Sequence, residues 1–277
     1  MATVSKWVKQ NSLSVYFFIA FAFSWSIYIP LVAVQHGWIK TQISFSIHYF
    51  SSFGPAFAAF IVTTLTTGKD GLQELWGRIT KWRVGRGYAI FALLSPVVLF
   101  FLAAIAMRTI KGEWPDLRLL GQANYLPYLG WGVLPVWLIT FGFGEEIGWR
   151  GFALPRLQSQ MSISKATFIL ALLWALWHSP AFFYLDTIED LGGIIINPGF
   201  LVDVLFGAVL FTWLYNGTGG SILMVAIWHA LFDLFTASAA GRDFIPIITS
   251  AGVIAWALYV ANTKKPWGFH FQQKHTL

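Results

Sequence analysis

YLPYLGWGVLPVWLITFGFGEEIGWR, residues 125–150, is a long apolar run that ends in charged residues. Glu145 and Glu146 are adjacent, and Arg150 follows four residues after the second glutamate. Ionisable groups at membrane depth are costly, so they face the protein interior or a water-filled cavity and by default mark a functional site. In a helix Glu146 and Arg150 can pair, which leaves Glu145 free for chemistry. The alternative is a charge pair where the chain leaves the membrane.

The composition of the whole chain indicates a polytopic membrane protein. Of its 277 residues, 57% are hydrophobic and 11% are charged, whereas soluble domains have about 25% charged residues. The net charge of +6 is explained by basic loops on one membrane face, so we expect no nucleic-acid partner. Because the chain has no cysteine, disulfides, thiol nucleophiles and thiolate metal sites are excluded.

Eight apolar runs are long enough to cross a bilayer, which takes about 20 helical residues. They lie near 13–35, 43–67, 87–107, 125–146, 165–185, 199–216, 220–239 and 245–262. No repeat and no low-complexity linker divides the chain. We therefore predict a single all-α transmembrane domain over residues 1–277, with about eight transmembrane helices.

An amphipathic segment, LQELWGRITKWR at 72–83, separates the second and third runs. Its apolar residues at helical spacing are Leu72, Leu75, Trp76, Ile79 and Trp82, and its basic residues on the other face are Arg78, Lys81 and Arg83. This pattern predicts one helix lying in the membrane interface, with a solvated loop as the alternative.

Lysine and arginine are unevenly divided between alternate loops. The N-terminus, the 68–86 and 147–165 loops and the C-terminal tail hold 13 of them, and the opposite side holds 5. By the positive-inside rule both termini are predicted to be cytoplasmic. The two glutamates then lie towards the cytoplasmic end of the fourth span.

Further ionisable residues lie inside later spans. His178 lies in the fifth span, and His229 and Asp233 share one face of the seventh. Each is costly if unpaired, at roughly 2.5–3.5 kcal/mol for a charge at a helix centre, so we predict that they converge with Glu145 on one site. At about 1.5 Å per residue both histidines lie deeper than Glu145, so the segment after Arg150 is expected to be partly buried.

Several polar residues are assigned no chemistry. Asp203, early in the sixth span, is interpreted as an interfacial or helix-start charge. Four histidines lie near span ends or in the tail: His36, His48, His270 and His275.

The predicted cluster permits two kinds of hydrolysis. A carboxylate shielded from water is a stronger base, so Glu145 or Glu146 could take a proton from water and return it to a leaving amine. His178 and His229 could then stabilise the oxyanion. Alternatively, the two glutamates, the two histidines and Asp233 could bind one divalent metal such as zinc, with a position left for water. The residues leave both possibilities open.

The motifs of other membrane peptidases do not match. No H-E-x-x-H occurs, and the residues around Ser221 do not form G-x-S-x-G. The segment 142–145 has glutamate where the G-x-G-D motif of intramembrane aspartyl proteases needs aspartate.

The ordered motifs resemble the CAAX protease and bacteriocin-processing (CPBP, or ABI) family, which includes the type II CAAX prenyl endopeptidases. The family motifs E-E-x-x-x-R, F-x-x-x-H and H-x-x-x-N or H-x-x-x-D are matched in order at 145–150, 174–178 and 229–233. Trp174 stands where the second motif has phenylalanine. Asp233 stands where CAAX-processing members have asparagine. The three motifs together extend over residues 145–233, about a third of the chain.

The resemblance implies an eight-helix intramembrane endopeptidase in which Glu145 activates water and Glu146 assists it or pairs with Arg150. The predicted catalytic residues are Glu145, Glu146, Arg150, His178, His229 and Asp233. The last three would form the oxyanion-stabilising or metal-binding side.

The resemblance also implies partners and a location. The partners are the lipid bilayer and a protein or peptide substrate, which is prenylated in CAAX-type members. The location is the cell membrane. Because the family is widespread in bacteria, the bacterial inner membrane is expected. Two other functions stay open: a non-catalytic protein for bacteriocin self-immunity or scaffolding, and a proton-coupled transporter.

Overall fold

The computed structural model describes residues 2–123, 128–185, 198–242 and 244–263, and in these ranges it contains helices and no strand. The helices are α1 (Ala2–Gln10), α2 (Ser12–Gln35), α3 (His48–Ser51), α4 (Gly54–Thr66), α5 (Gly68–Ile79), α6 (Arg86–Lys111), α7 (133–158), α8 (Ile163–His178), α9 (Pro198–Gly217), α10 (Ile222–Thr236) and α11 (Phe244–Asn262). Short 3₁₀ turns lead into α3 at Phe45–Ile47 and extend α8 at Ser179–Phe183. The predicted all-α class is confirmed.

Six of the predicted spans are present in the described ranges as helices that are long and apolar enough to cross a membrane. They are Ser12–Gln35, Phe45–Thr66, Arg86–Lys111, Ile163–Phe183, Gly199–Gly217 and Phe244–Asn262. This confirms a polytopic all-α membrane protein.

The other two predicted spans differ from continuous transmembrane helices. The 15 residues of α10 give a helix of about 22 Å, shorter than the ~30 Å hydrocarbon core. The span predicted at 125–146 corresponds to α7, which is built from short helical pieces, and residues 124–127 lie outside the described residues. The count of eight spans is therefore not confirmed.

The short helix α10 lies inside the bundle. It packs against α6, α7, α9 and α11, and nine of its 15 residues are buried. Around it, α2 packs against α4, and α9 packs against both α8 and α11. Of the ionisable residues of α10, His229 is therefore surrounded by protein, and Asp233 is partly buried.

The outer faces of the long helices are apolar and exposed. Phe18 on α2, Ile105 on α6 and Ile247 on α11 are examples. In a chain of this composition such faces contact the acyl chains of the bilayer.

The helix predicted between the second and third spans is present as α5, but its buried face differs from the prediction. Leu75 and Ile79 are buried, as expected, whereas Trp76 is exposed. Arg78, predicted on the outer face with the basic residues, is buried because its Nη1 donates hydrogen bonds to the Gly151 carbonyl at 2.9 Å and to a tyrosine hydroxyl of α9 at 2.8 Å. The prediction for Arg78 was wrong, since its side chain joins α5 to α7 and α9.

Glycines let α7 approach its neighbours closely. A Cβ atom on Gly142 would lie 2.8 Å from the Ala226 carbonyl oxygen of α10. A Cβ atom on Gly148 would lie 2.5 Å from the Pro55 carbonyl oxygen of α4. Both separations are too short for a side chain, so only glycine permits this packing. This close packing of α7 against α4 and α10 brings its two glutamates into the centre of the protein.

Candidate active site

The predicted catalytic carboxylates lie where α7 departs from regular α-helical winding. Two π-helical stretches, Leu138–Glu145 and Trp149–Ala153, flank a single turn at Glu146–Gly148. π-Helical turns are rare and occur frequently at functional sites. The residues at 151–155 are buried, which confirms the expectation that the chain continues inward after the arginine.

Glu146 is the centre of a buried ionic cluster. Its Oε1 accepts a hydrogen bond from Arg150 Nη1 at 2.9 Å. His229 Nδ1, on α10, lies 3.0 Å from the same oxygen. Neither the glutamate nor the arginine side chain has any solvent exposure. The predicted pairing of Glu146 with Arg150 is confirmed, and the histidine supplies a further partner from another helix.

The guanidinium group of Arg150 is also enclosed by aromatic rings. Its Cζ lies 4.5 Å from the ring centroid of Trp174 on α8 and 4.5 Å from that of Phe211 on α9. Cation–π contacts of this kind are strongest when the cation is removed from water. The arginine therefore contacts one carboxylate and two rings, and it neutralises Glu146 while both side chains are buried.

Glu145 has a separate environment from its neighbour. Its side chain is 3% exposed, and its Oε2 accepts a hydrogen bond from Trp174 Nε1 at 2.8 Å. Among the described residues this is the one hydrogen bond to its carboxylate. Glu145 therefore has no directly bonded cation, as expected of a carboxylate kept available for proton transfer.

His229 lies between two carboxylates. Nδ1 faces Glu146, and Nε2 lies 3.6 Å from Asp233 Oδ2 one turn further along α10. The predicted proximity of His229 and Asp233 is confirmed. Since both ring nitrogens face carboxylate oxygens, both are oriented to donate a proton or a hydrogen bond.

His178 is oriented by the backbone of its own helix. Its Nδ1 lies 2.8 Å from the carbonyl oxygen of Trp174. A carbonyl oxygen only accepts, so Nδ1 carries the hydrogen and Nε2 of the neutral ring is an acceptor. The ring packs against Trp177 and Phe200, with centroid distances of 4.7 and 5.4 Å.

The predicted site residues therefore lie together. Arg150 and His229 contact Glu146 directly, and Asp233 lies beside His229. Glu145 and His178 join this group through Trp174. Asp203 lies apart, where its carboxylate bonds Ser250 of α11. The geometry is that of one site, and the catalytic roles assigned to these residues stay predictions.

Comparison with known proteins gives two matches to this region. The family described as "Type II CAAX prenyl endopeptidase Rce1-like" matches residues 127–235, a range that contains all three motifs. A protein of Methanococcus maripaludis named "CAAX prenyl protease 2" is 27% identical over 185 residues, which cover 64% of this chain and 68% of the relative. These two matches support the CAAX protease (CPBP) family as the one that this chain resembles. These matches support an intramembrane endopeptidase as its class.

Within the candidate site, the residue whose role reasoning from sequence missed is Trp174. In the sequence it stands out only as a departure from the family motif, yet its indole N–H and its carbonyl bond two of the predicted catalytic residues. The deviation from the phenylalanine of the family motif was the available signal, because tryptophan adds a hydrogen-bond donor that phenylalanine lacks.

Other contributors carried no signal in the sequence. Arg78 and Arg156 donate to the consecutive carbonyls of Gly151 and Phe152 in the second π-helical stretch of α7. His48, assigned no chemistry, is buried with Nδ1 2.6 Å from a tyrosine hydroxyl. His270 and His275 lie outside the described residues, as does the rest of the tail from residue 264.

The fit of a divalent metal can be judged from the donor atoms. Among the described residues, no three His, Asp or Glu side chains are arranged to hold a metal ion. One oxygen of Glu146 is shared by an arginine and a histidine, and one oxygen of Glu145 is bonded to an indole. The donor set in this arrangement does not fit a metal centre. Zinc binding by Glu145, Glu146, His178, His229 and Asp233 stays a prediction.

Proposed function

We propose that this protein hydrolyses peptide bonds within the membrane by using Glu145 to activate a water molecule. The observation that carries the proposal is the contrast between the two adjacent glutamates. Glu146 is neutralised by Arg150 and His229, whereas Glu145 is equally buried and bonded only to an indole N–H among the described residues. A buried carboxylate without a bonded cation is suited to accept a proton.

The proposed reaction follows from the atoms that remain available. Glu145 takes a proton from water as the water oxygen attacks the carbonyl carbon of the substrate. His178 accepts a hydrogen bond from the other hydrogen of that water through Nε2, because its Nδ1–H already donates to the Trp174 carbonyl. This role differs from the oxyanion-stabilising role predicted for His178. When the C–N bond breaks, the proton passes from Glu145 to the leaving amine.

His229 is proposed as the oxyanion-stabilising group. Its Nε2 lies 3.6 Å from Asp233 Oδ2, and this distance is too long for a strong hydrogen bond. The donor is therefore available to the negative oxygen that develops on the attacked carbonyl. The carboxylates on either side of the ring keep it oriented and stabilise positive charge on it.

The proposed substrate is a protein or peptide with a prenylated C-terminal region. The support is the name of the Methanococcus relative, a CAAX prenyl protease. Bacteriocin-type peptides without a prenyl group are the alternative substrate class within the same family. We also propose that the protein lies in the cell membrane with both termini in the cytoplasm, which puts the site towards the cytoplasmic leaflet.

The test is peptide cleavage by purified protein in liposomes. A farnesylated fluorogenic peptide and its unprenylated counterpart are compared for wild type, Glu145→Gln and Glu113→Gln. Glu145→Gln is expected to lower kcat by at least about 100-fold, the usual contribution of a general base. Glu113→Gln, in an exposed loop after α6, serves as the control and keeps wild-type activity.

Three outcomes would count against the proposal in different ways. Equal rates for wild type and Glu145→Gln would eliminate Glu145 as the base. Cleavage of only the unprenylated peptide would replace the proposed substrate class. No cleavage of either peptide by folded wild type would favour a non-catalytic immunity or scaffolding role, which predicts that partner binding or protection survives loss of Glu145 and His178.

Metal content is measured on the same preparations by mass spectrometry. Wild type is compared with the His178→Ala/His229→Ala double variant. About one zinc per chain, lost in the variant, would support metal-activated water at this cluster. Absence of metal from active wild type would support the glutamate mechanism alone.

A further inference from the structure

Trp174 contacts four of the six residues of the candidate site. Its indole N–H donates to Glu145 Oε2 at 2.8 Å, and its carbonyl accepts from His178 Nδ1 at 2.8 Å. Its ring contacts the guanidinium of Arg150 at 4.5 Å and meets the ring of His229 at right angles, with 5.7 Å between centroids. The residue is 6% exposed, so these contacts are shielded from water.

We infer that Trp174 is a positioning residue that fixes which atoms of Glu145 and His178 face the reacting water. The inference rests on the proposed function and deepens it. The residue does not itself exchange a proton with the substrate. It determines the orientation of the two groups that do.

The indole selects one oxygen of the glutamate. Because Oε2 is bonded to the indole N–H, Oε1 is the oxygen left to accept a proton. The hydrogen bond also limits rotation of the carboxylate, which would otherwise be free to turn towards Arg150. The buried guanidinium of Arg150 lies against the same tryptophan ring, so one side chain contacts both this cation and the base. With its oxygen bonded to the indole, Glu145 forms no ion pair among the described residues, whereas Glu146 pairs with Arg150.

The carbonyl of the same residue selects the tautomer of the histidine. Hydrogen bonding to the Trp174 oxygen keeps the proton of His178 on Nδ1 and the lone pair on Nε2. Orientation of catalytic groups by such supporting contacts is a large part of enzyme rate enhancement. One residue thus presents two acceptors, Glu145 Oε1 and His178 Nε2.

The two contacts of Trp174 respond differently to mutation. The carbonyl is part of the α8 backbone and survives any side-chain change, whereas the indole N–H is lost in Trp174→Phe. This substitution restores the residue of the family motif and retains an aromatic ring beside Arg150. It therefore removes the hydrogen bond to Glu145 with little loss of packing.

Trp174→Phe is expected to lower kcat roughly tenfold, because a hydrogen bond to a charged group is lost in the transition state. KM should stay within about twofold, since a positioning residue does not bind the substrate. The matched control is Trp256→Phe on α11, whose indole N–H has no partner among the described residues and which keeps wild-type activity. An equal loss in both variants, or a rise in KM with kcat unchanged, would overturn the inference.

A second variant separates shape from hydrogen bonding. 3-Benzothienylalanine has the shape of tryptophan with sulfur in place of the N–H group, and it is incorporated at position 174 by codon suppression. Its kcat should fall like that of Trp174→Phe. Wild-type kcat with this residue would overturn the inference, because it would show that only the shape of the side chain matters.

A third measurement does not depend on activity, and so it distinguishes failure of this inference from failure of the proposed function. The indole N–H resonance of Trp174 is assigned in ¹⁵N-labelled protein from its absence in Trp174→Phe. It is expected to shift in Glu145→Ala, whereas the Trp256 resonance does not. An unchanged Trp174 resonance would overturn the inference even if Glu145 proves essential, and a shift would uphold the contact even if no substrate is cleaved.

Discussion

Glu146 and Arg150 form an ion pair whose side chains are both fully buried. Such a pair need not stabilise a protein relative to apolar residues of similar size, but removal of one partner leaves an uncompensated charge in the interior. Here His229 shares the glutamate oxygen, so loss of the arginine changes the site as well as the stability. The two effects can be separated by measuring unfolding.

Arg150→Met is expected to lower the free energy of unfolding by about 3–5 kcal/mol, because Glu146 loses its main partner. Unfolding is measured by titration of bicelle-reconstituted protein with denaturing detergent. The double variant Glu146→Gln/Arg150→Met should be more stable than the single variant, since it contains neither charge. The control is Arg118→Met, which breaks the exposed pair with Asp116 and should change stability little.

A double variant no more stable than Arg150→Met would contradict this account. It would show that the arginine acts through its contacts with the rings of Trp174 and Phe211 and not through its pairing with Glu146. The cation–π contacts of Arg150 would then contribute more to stability than its ion pair with Glu146.

The helix α7 brings the glutamates into the protein because its glycines allow close packing. Its wide π-helical turns also present carbonyls that accept hydrogen bonds, one from Arg78 of α5 and one from Arg156 further along α7 itself. The surface helix α5 is thereby attached to the segment that carries the candidate site. A change in packing along α7 is expected to affect both stability and the orientation of the carboxylates.

Gly148→Ala tests this packing. The new methyl group would lie 2.5 Å from the Pro55 carbonyl oxygen, so helix α4 must move. Overpacking of this kind typically lowers stability by about 1–3 kcal/mol. Gly207→Ala on α9 is the matched control, because nothing lies within 4 Å of its Cβ position and alanine is the better helix former.

Thermal unfolding in detergent is measured for both alanine variants. We expect a lower Tm for Gly148→Ala and an equal or higher Tm for Gly207→Ala. A Tm for Gly148→Ala that matches the control would mean that α4 and α7 do not depend on this contact.

The whole protein is a multi-pass helical bundle with apolar outer faces, and its orientation rests on the division of basic residues between loops. Because the chain contains no cysteine, one introduced thiol reports the side of the membrane without any background. Lys9, at the end of α1, and Lys40, after α2, are exposed and are predicted to lie on opposite sides.

Lys40→Cys is expected to react with a membrane-impermeant maleimide in intact cells, whereas Lys9→Cys should react only after the membrane is permeabilised. The reason is the excess of lysine and arginine on the predicted cytoplasmic side, which sets orientation during insertion. The reverse pattern would invert the topology and put the site towards the opposite leaflet. Labelling of both variants in intact cells would contradict a crossing by α2.

Composition and local spacing were sufficient for the class of protein and for contacts within one helix. The all-α membrane fold follows from long apolar runs, because a chain in lipid must satisfy its backbone hydrogen bonds internally. The pairs Glu146–Arg150 and His229–Asp233 follow from a separation of four residues, which puts both members on one helical face.

Tertiary packing was needed for every contact between helices. Glu146 meets His229, 83 residues away, and Arg78 meets Gly151, 73 residues away. Trp174 bonds Glu145 across 29 residues, although both were already identified in motifs. Periodicity indicates which face of a helix is apolar, but it does not indicate which neighbour that face meets. The π-helical turns of α7 change the directions of its side chains, so the partner of each glutamate depended on the packed structure.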